Sequence, residues 1–304
     1  MRILILGSAA GGGFPQWNCG CANCAGVRQK NFLGKARTQA QIALSVDGLR
    51  WFLVGASPDL TRQIEAFPEL QPRTFRGSPV SGVVLGSADL DHVAGLLLLR
   101  ELQPLRVYAS ASVLHILRSE NSMFGMLNRV EPQVVWSSIN SGAKFSVLSP
   151  DGEGSGLLCE AIFLSGRYPK YVKTEAPKLG ALEASTGLFF ESDSGKKLAY
   201  LPAISELTDG LLEKIDGVDL LLFDGTFWSD DELIRVQGSG ETAHQMGHIP
   251  IEESLRLLRD LRVKRKMFIH INNTNPILND SSGEHRAVRQ SGWEVAEDNW
   301  RLEL

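Results

Sequence analysis

The chain lacks any apolar run of the roughly 18 residues that a membrane-spanning helix requires. Its opening, Met1-Arg2-Ile3-Leu4-Ile5-Leu6-Gly7, is too short for a secretory signal and has no small-residue cleavage site, so it reads as a first strand. A cytoplasmic protein with no membrane partner is expected. Positive charge is not in excess: 31 Lys and Arg face 35 Asp and Glu, a formal net charge of -4, so no basic field invites nucleic acid. Cysteine is scarce. Of four, Cys19, Cys21 and Cys24 crowd into one short segment, which excludes a disulfide scaffold in a chain this long and points to metal in a reducing compartment. Internal repeats and low-complexity segments are also missing.

What remains is ordinary soluble material: 304 residues, 43% hydrophobic and 22% charged. Strands are expected at Arg2–Leu6, Gln41–Val46, Trp51–Val54, Val83–Leu85, Arg106–Ala109, Gln133–Trp136, Phe145–Leu148, Leu158–Leu164, Gly187–Glu191, Lys197–Leu201, Asp219–Phe223 and Lys266–Ile269. The alternation of Ile42, Leu44 and Val46 suggests a half-buried antiparallel strand. Helices are expected at Thr61–Phe67, Val93–Leu99 and Ile251–Leu261, the last one amphipathic. The polar stretch Arg167–Gly180 reads as a surface loop. With no composition break, residues 1–304 read as one domain of two sheets covered by helices, with a cysteine-rich loop near 19–24.

The segment Ser87-Ala88-Asp89-Leu90-Asp91-His92 lies between the apolar runs Val83–Leu85 and Val93–Leu99, where a strand gives way to a helix. Helix capping would use one Asp. Two carboxylates and an imidazole in four residues point to a metal. Two further apolar strands end the same way, one on Asp224 and one on His270, and functional groups gather where strands end. Taken singly, Asp224 is as readily a turn residue and His270 a satisfied core histidine. The repetition favours one shared site. Three thiolates at Cys19, Cys21 and Cys24 can occupy three positions around Zn²⁺, with a fourth ligand from His244, His248 or Cys159. Cys159 sits in a strand-like run and reads as a buried inert thiol. His244 and His248 lie in Thr242–Pro250, which Gly247 and Pro250 make a loop. The Gly-rich Gly7–Gly13 lacks the spacing of either phosphate-binding fingerprint. His115 and His285 have no partner legible in the sequence.

The pattern Ser87-x-Asp89-x-Asp91-His92, followed by strand-ending Asp224 and His270, resembles the metallo-β-lactamase superfamily. Gly11-Gly12-Gly13-Phe14-Pro15-Gln16-Trp17-Asn18-Cys19, Gly247-His248-Ile249-Pro250 and His270-Ile271-Asn272-Asn273-Thr274-Asn275-Pro276 resemble signatures of its pyrroloquinoline quinone (PQQ) biosynthesis protein B family. The resemblance spans nearly the whole chain and implies an αββα sandwich of two mixed sheets flanked by helices. Where the superfamily's hydrolases carry His-x-His, this chain has Ser87 and Asp89. Where they carry the next His, it offers Ser165-Gly166-Arg167. The set that remains, His92, His270, Asp91 and Asp224, with Asp89 as ligand or orienter, suits non-haem Fe(II) better than Zn²⁺. The family's pathway builds its quinone from Glu and Tyr of a precursor peptide. The resemblance therefore implies an Fe(II)- and O₂-dependent hydroxylase of the tyrosine ring, with His248, Asp89 and Ser87 as catalytic residues and His244 completing the Zn²⁺ site of Cys19, Cys21 and Cys24. The expected partners are a Glu–Tyr substrate or PQQ intermediate, O₂, other proteins of the pathway and a second copy in a homodimer. A metal-dependent hydrolase and a non-enzymatic carrier aiding export of PQQ or its precursor are the rival classes.

Overall fold

The computed structural model describes residues 1–131, 133–172 and 179–304. Among them, fourteen strands form two mixed sheets. The chain folds as two compact units, each assembled from separated stretches: residues 1–6, 41–197 and 299–304 in the first, 7–40 and 198–298 in the second.

In the first unit, β1 (Arg2–Gly7), β2 (Gln41–Ser45), β3 (Trp51–Val54), β4 (Val80–Val84), β5 (Leu105–Ser110), β6 (Val134–Ile139) and the last strand, β14 (Trp300–Glu303), make a sheet ordered β14-β1-β2-β3-β4-β5-β6. The run β3 to β6 is parallel, and short helices at Leu60–Ala66 and Leu90–Val93 occupy its crossovers. Parallel strands covered on both faces need unbroken apolar runs, which Trp51-Phe52-Leu53-Val54 supplies. The alternation read in β2 is misleading for the same reason: β2 pairs antiparallel with β3 as expected, but all five of its residues are buried rather than every second one. Trp51, Phe67, Leu85 and Leu96 belong to the core beneath this sheet. A three-stranded antiparallel meander, β7 (Lys144–Leu148), β8 (Gly154–Leu164) and β9 (Ser185–Ser192), completes the unit. The expected surface loop at Arg167–Gly180 falls partly on 173–178, outside the described residues.

The second unit carries four parallel strands, β10 (Lys197–Leu201), β11 (Leu220–Asp224), β12 (Arg265–Ile269) and β13 (Glu294–Val295). Their crossovers hold the helices Asp209–Ile215, Glu232–Gln237, Ile251–Leu257 and Gly283–Gln290. The amphipathic helix at Ile251 ends four residues earlier than its apolar spacing suggests. Phe268 stacks on Trp293 at 4.2 Å between ring centroids, and Phe223 meets the same indole edge-on at 6.1 Å. That aromatic cluster fixes β11 against β12 in a register pairing Asp224 with Ile269, so Asp224 and His270 leave neighbouring strands at the same end. Beyond them, Ile271 exchanges backbone hydrogen bonds with Ser8 and Ala10 at 2.9 Å each, which brings the Gly-rich N-terminal segment alongside.

Candidate metal centre

One group of candidate residues, in the first unit, lies where β4 ends. Ser87 bridges to Ser185 at the start of β9. The Ser87 hydroxyl donates to Asp89 Oδ2 at 2.8 Å and accepts the Asp89 amide at 3.3 Å, closing a tight turn. Asp89 stands at the N-cap position of the helix Leu90–Val93, yet its side chain makes no capping bond. The Tyr171 hydroxyl donates to the Ala88 carbonyl. Burial and then the Asp89 charge push its ionisation up to about 12, so Tyr171 stays a donor throughout the physiological range.

Asp91 Oδ2 and His92 Nε2 lie 3.5 Å apart, with His92 6% exposed. Two atoms bound to one ion at about 2.0–2.2 Å sit about 3 Å from each other at a right angle, so this pair is spaced to share a cation. The backbone behind His92 is fixed by the Ala56 amide, which donates to the His92 carbonyl at 2.7 Å. A side chain at Gly55, where φ is +80°, would be strained, and its Cβ would stand in van der Waals contact with His92 Nδ1 at 3.5 Å.

Another group, in the second unit, lies at the ends of β11 and β12. Asp224 is fully buried, and both its oxygens are engaged. Oδ2 accepts from the Ile204 amide at 3.0 Å and meets His248 Nδ1 at 2.7 Å. Oδ1 accepts from the Thr226 amide at 3.0 Å and from the Thr226 hydroxyl at 2.7 Å. That hydroxyl also touches His270 Nδ1 at 2.9 Å. His270 adopts φ of +60°, a left-handed conformation uncommon outside glycine, and its ring lies 5.8 Å from that of His248 with 23° between planes. One ligand-capable atom from each of Asp224, His248 and His270 falls within 4.8 Å of the others. The 2.7 Å contact, however, is the length of a charge-assisted hydrogen bond, the spacing of two atoms that share a proton.

The three cysteines form a separate cluster, their sulfurs within 4.8 Å of one another. Cys21 starts the helix Ala22–Gln29, which points Cys24 inward, and the Arg28 guanidinium ties the loop by donating to the Gln16 and Cys19 carbonyls. Burial pushes the Cys24 thiol up to about 11. At Cys19 burial acts the same way but is outweighed by hydrogen bonds from Cys21, Cys24 and Asn273, and the thiol is lowered. The expected fourth ligand is elsewhere: His244 Nε2 sits 3.1 Å from Glu253 Oε1 and the residue is outside the cluster. Asn273 takes that place instead, with Nδ2 3.1, 3.7 and 3.3 Å from the sulfurs of Cys19, Cys21 and Cys24. His244 is exposed at the tip of a loop, where a carboxylate from the next helix reaches it first. His115 and His285 also have partners that the sequence did not reveal, Glu120 at 3.3 Å and the Ile277 carbonyl at 2.8 Å. Cys159 is buried on β8, and burial holds its thiol well above its ordinary value.

Residues 50–271 match the model of a β-lactamase superfamily domain. The chain is 42% identical to coenzyme PQQ synthesis protein B of Rhodopseudomonas palustris strain BisB5 and 40% identical to that of Methylobacterium sp. strain 4-46, with all of each chain covered. The crystal structure of Zn²⁺-bound PqqB from Methylobacterium extorquens superposes with a TM-score of 0.91 at 40% identity over the full length of both chains. This chain belongs to the coenzyme PQQ synthesis protein B family. Its fold is that of the metallo-β-lactamases, two mixed sheets flanked by helices, as the resemblance implied. A diphosphatase of the PhnP family shares the fold at 19% identity and a TM-score of 0.70. A metal-dependent protein is what this membership and the two donor clusters describe. No helix among the described residues is long and apolar enough to cross a membrane.

Reasoning from the sequence missed Thr226, Asn273 and the buried Glu232, which accepts from the Thr274 hydroxyl and the Trp228 amide. Asn273 and Thr274 stand three and four residues past His270, within a run whose polar density at a strand end was itself a signal.

Proposed function

We propose that the protein acts in PQQ biosynthesis as a non-haem Fe(II)- and O₂-dependent hydroxylase of the tyrosine ring in a Glu–Tyr precursor. The observation that carries this reading is the donor set. Ser87 and Asp89 close on each other where the superfamily's hydrolases place a pair of histidines, and the acid–imidazole pair spaced for a cation is Asp91 with His92. In this reading His270, just past the end of β12, is assigned as the second imidazole. Two imidazoles and one carboxylate are the ligand set of Fe(II) oxygenases. Bound there, Fe(II) supplies activation of O₂. One oxygen atom enters the ring and the other leaves as water, with two electrons from an external reductant.

Around that centre the chain's own side chains bind, orient and move protons. Asp224 engages His248 through Nδ1, which leaves Nε2 to accept a phenolic proton. Ser87 holds the Asp89 carboxylate, and Tyr171 fixes the peptide between them. Asp224, with four hydrogen bonds already on its carboxylate, orients rather than ligates in this scheme. Cys19, Cys21 and Cys24 hold a structural Zn²⁺ beneath the amide of Asn273.

The test is anaerobic loading with Fe(II), then O₂, a reductant and a Glu–Tyr peptide. A ring-hydroxylated product that vanishes in His92→Ala and His270→Ala is expected. Equal turnover with Zn²⁺ and no O₂ uptake overturns the reading.

A further inference from the structure

We infer that Asp224 and Thr226 form a single anchor that locks two histidines, His248 and His270, into the same orientation, each with Nδ1 donating to it. Asp224 is buried and accepts from two backbone amides, Ile204 and Thr226, which can only donate. Its Oδ2 then meets His248 Nδ1 at 2.7 Å, so that nitrogen carries the hydrogen. The Thr226 hydroxyl has one hydrogen and three neighbours: Asp224 Oδ1 at 2.7 Å, His270 Nδ1 at 2.9 Å and the His270 carbonyl at 3.0 Å. The carboxylate is both the nearest and the strongest acceptor. The hydroxyl hydrogen goes there, and the oxygen is left to accept from His270 Nδ1–H.

One carboxylate therefore sets both rings, His248 directly and His270 through a hydroxyl. The rings lie nearly parallel, 23° between planes, as two bodies hung from one support would. Asp224 and Thr226 are positioning residues. They act through the imidazoles, in the manner of the carboxylates that hold metal-binding histidines. Thr226 is 3% exposed, so water does not substitute for it.

The inference reaches past the proposed chemistry, since it needs neither iron nor oxygen. Only its affinity arm rests on His270 as a ligand. The experiment is ¹⁵N NMR of histidine-labelled full-length protein at about pH 8, above the ordinary imidazole range, with the ion at His270 chelated and the cysteine-bound zinc retained. The wild type is expected to show both rings with hydrogen on Nδ1. Thr226→Val is expected to release His270 alone, Asp224→Asn to disturb both, and Thr226→Ser, which keeps the hydroxyl, to restore the wild-type signals. Rebinding of Co(II) by Thr226→Val is expected to weaken about 10–100-fold. A wild-type ring without hydrogen on Nδ1, or a Thr226→Val spectrum with His270 unmoved, overturns the inference. Unchanged rings with unchanged Co(II) affinity would do so too. A normal spectrum in a protein that fails to hydroxylate would sink the proposed function and leave the anchor standing.

Discussion

Two acid–imidazole pairs in this molecule look alike as residue types and differ in how they are built. Asp91 and His92 are adjacent in sequence, sit on a short helix after β4, and keep their polar atoms 3.5 Å apart. Asp224 and His248 are far apart in sequence, and their atoms meet at 2.7 Å. The first carboxylate is partly exposed and stands from its ring at a distance spaced for a cation. The second is fully buried, carries four hydrogen bonds, and is closed around a proton. Acid-plus-histidine patterns in a sequence thus conflate two different devices. What separates them is the burial of the carboxylate and the distance at which it meets the ring.

The widest separation between the pairs is expected in stability. Asp224→Ala leaves the Ile204 and Thr226 amides and the Thr226 hydroxyl without their acceptor in a buried site. At about 1–3 kcal/mol for each unsatisfied group, the loss is several kcal/mol. The Asp91 carboxylate is partly exposed, so water can satisfy what Asp91→Ala uncovers, and in metal-free protein the loss is expected to stay below about 1 kcal/mol. Urea denaturation of the two variants decides it. Equal losses would erase the distinction between a pair closed around a proton and a pair spaced for a cation.

The difference also explains what could be read in advance. The strands were legible because parallel strands buried on both faces demand unbroken apolar runs, as at Trp51–Val54 and Leu220–Phe223. The cluster Asp89, Asp91 and His92 was legible because its members are contiguous, and the cysteines for the same reason. Thr226 and Asn273 were not, because a hydroxyl and an amide gain meaning only from the groups that the β11–β12 register and the N-terminal segment bring to them. His244 misled because its type fits zinc, while its loop turns it toward Glu253. The resemblance to a family supplied the sandwich; the spacing of single residues did not.

Glu232 provides a third carboxylate against which to calibrate the other two. It is buried like Asp224 but accepts only from the Thr274 hydroxyl and the Trp228 amide, and burial wins, pushing its ionisation up to about 7 from 4.5. Between those values the folded chain keeps a proton that the unfolded chain has released. Stability is therefore full below about pH 4.5 and falls as pH rises towards 7, by about 3 kcal/mol in all. Glu232→Gln is expected to flatten that fall when urea midpoints are compared at about pH 4 and pH 8, on either side of the window. A slope that survives the substitution would show that two donors suffice to keep a buried carboxylate ionised, and that the four on Asp224 are more than charge requires.

The smallest effect belongs to the cysteine cluster, where an amide does for three sulfurs what Thr226 does for one ring. Asn273 Nδ2 lies within hydrogen-bonding reach of all three sulfurs, so Asn273→Ala is expected to weaken zinc retention about 10–100-fold without unfolding the unit. Asn273→His puts an imidazole at the same position and is expected to hold zinc at least as tightly as the wild type, since nitrogen and sulfur donors are what Zn²⁺ prefers. Competition with a chromophoric chelator reads both. His244→Ala is the control that sharpens the result. With its ring against Glu253 it is expected to leave zinc affinity unchanged, and a loss there comparable to that of Asn273→Ala would return the fourth position to the loop histidine.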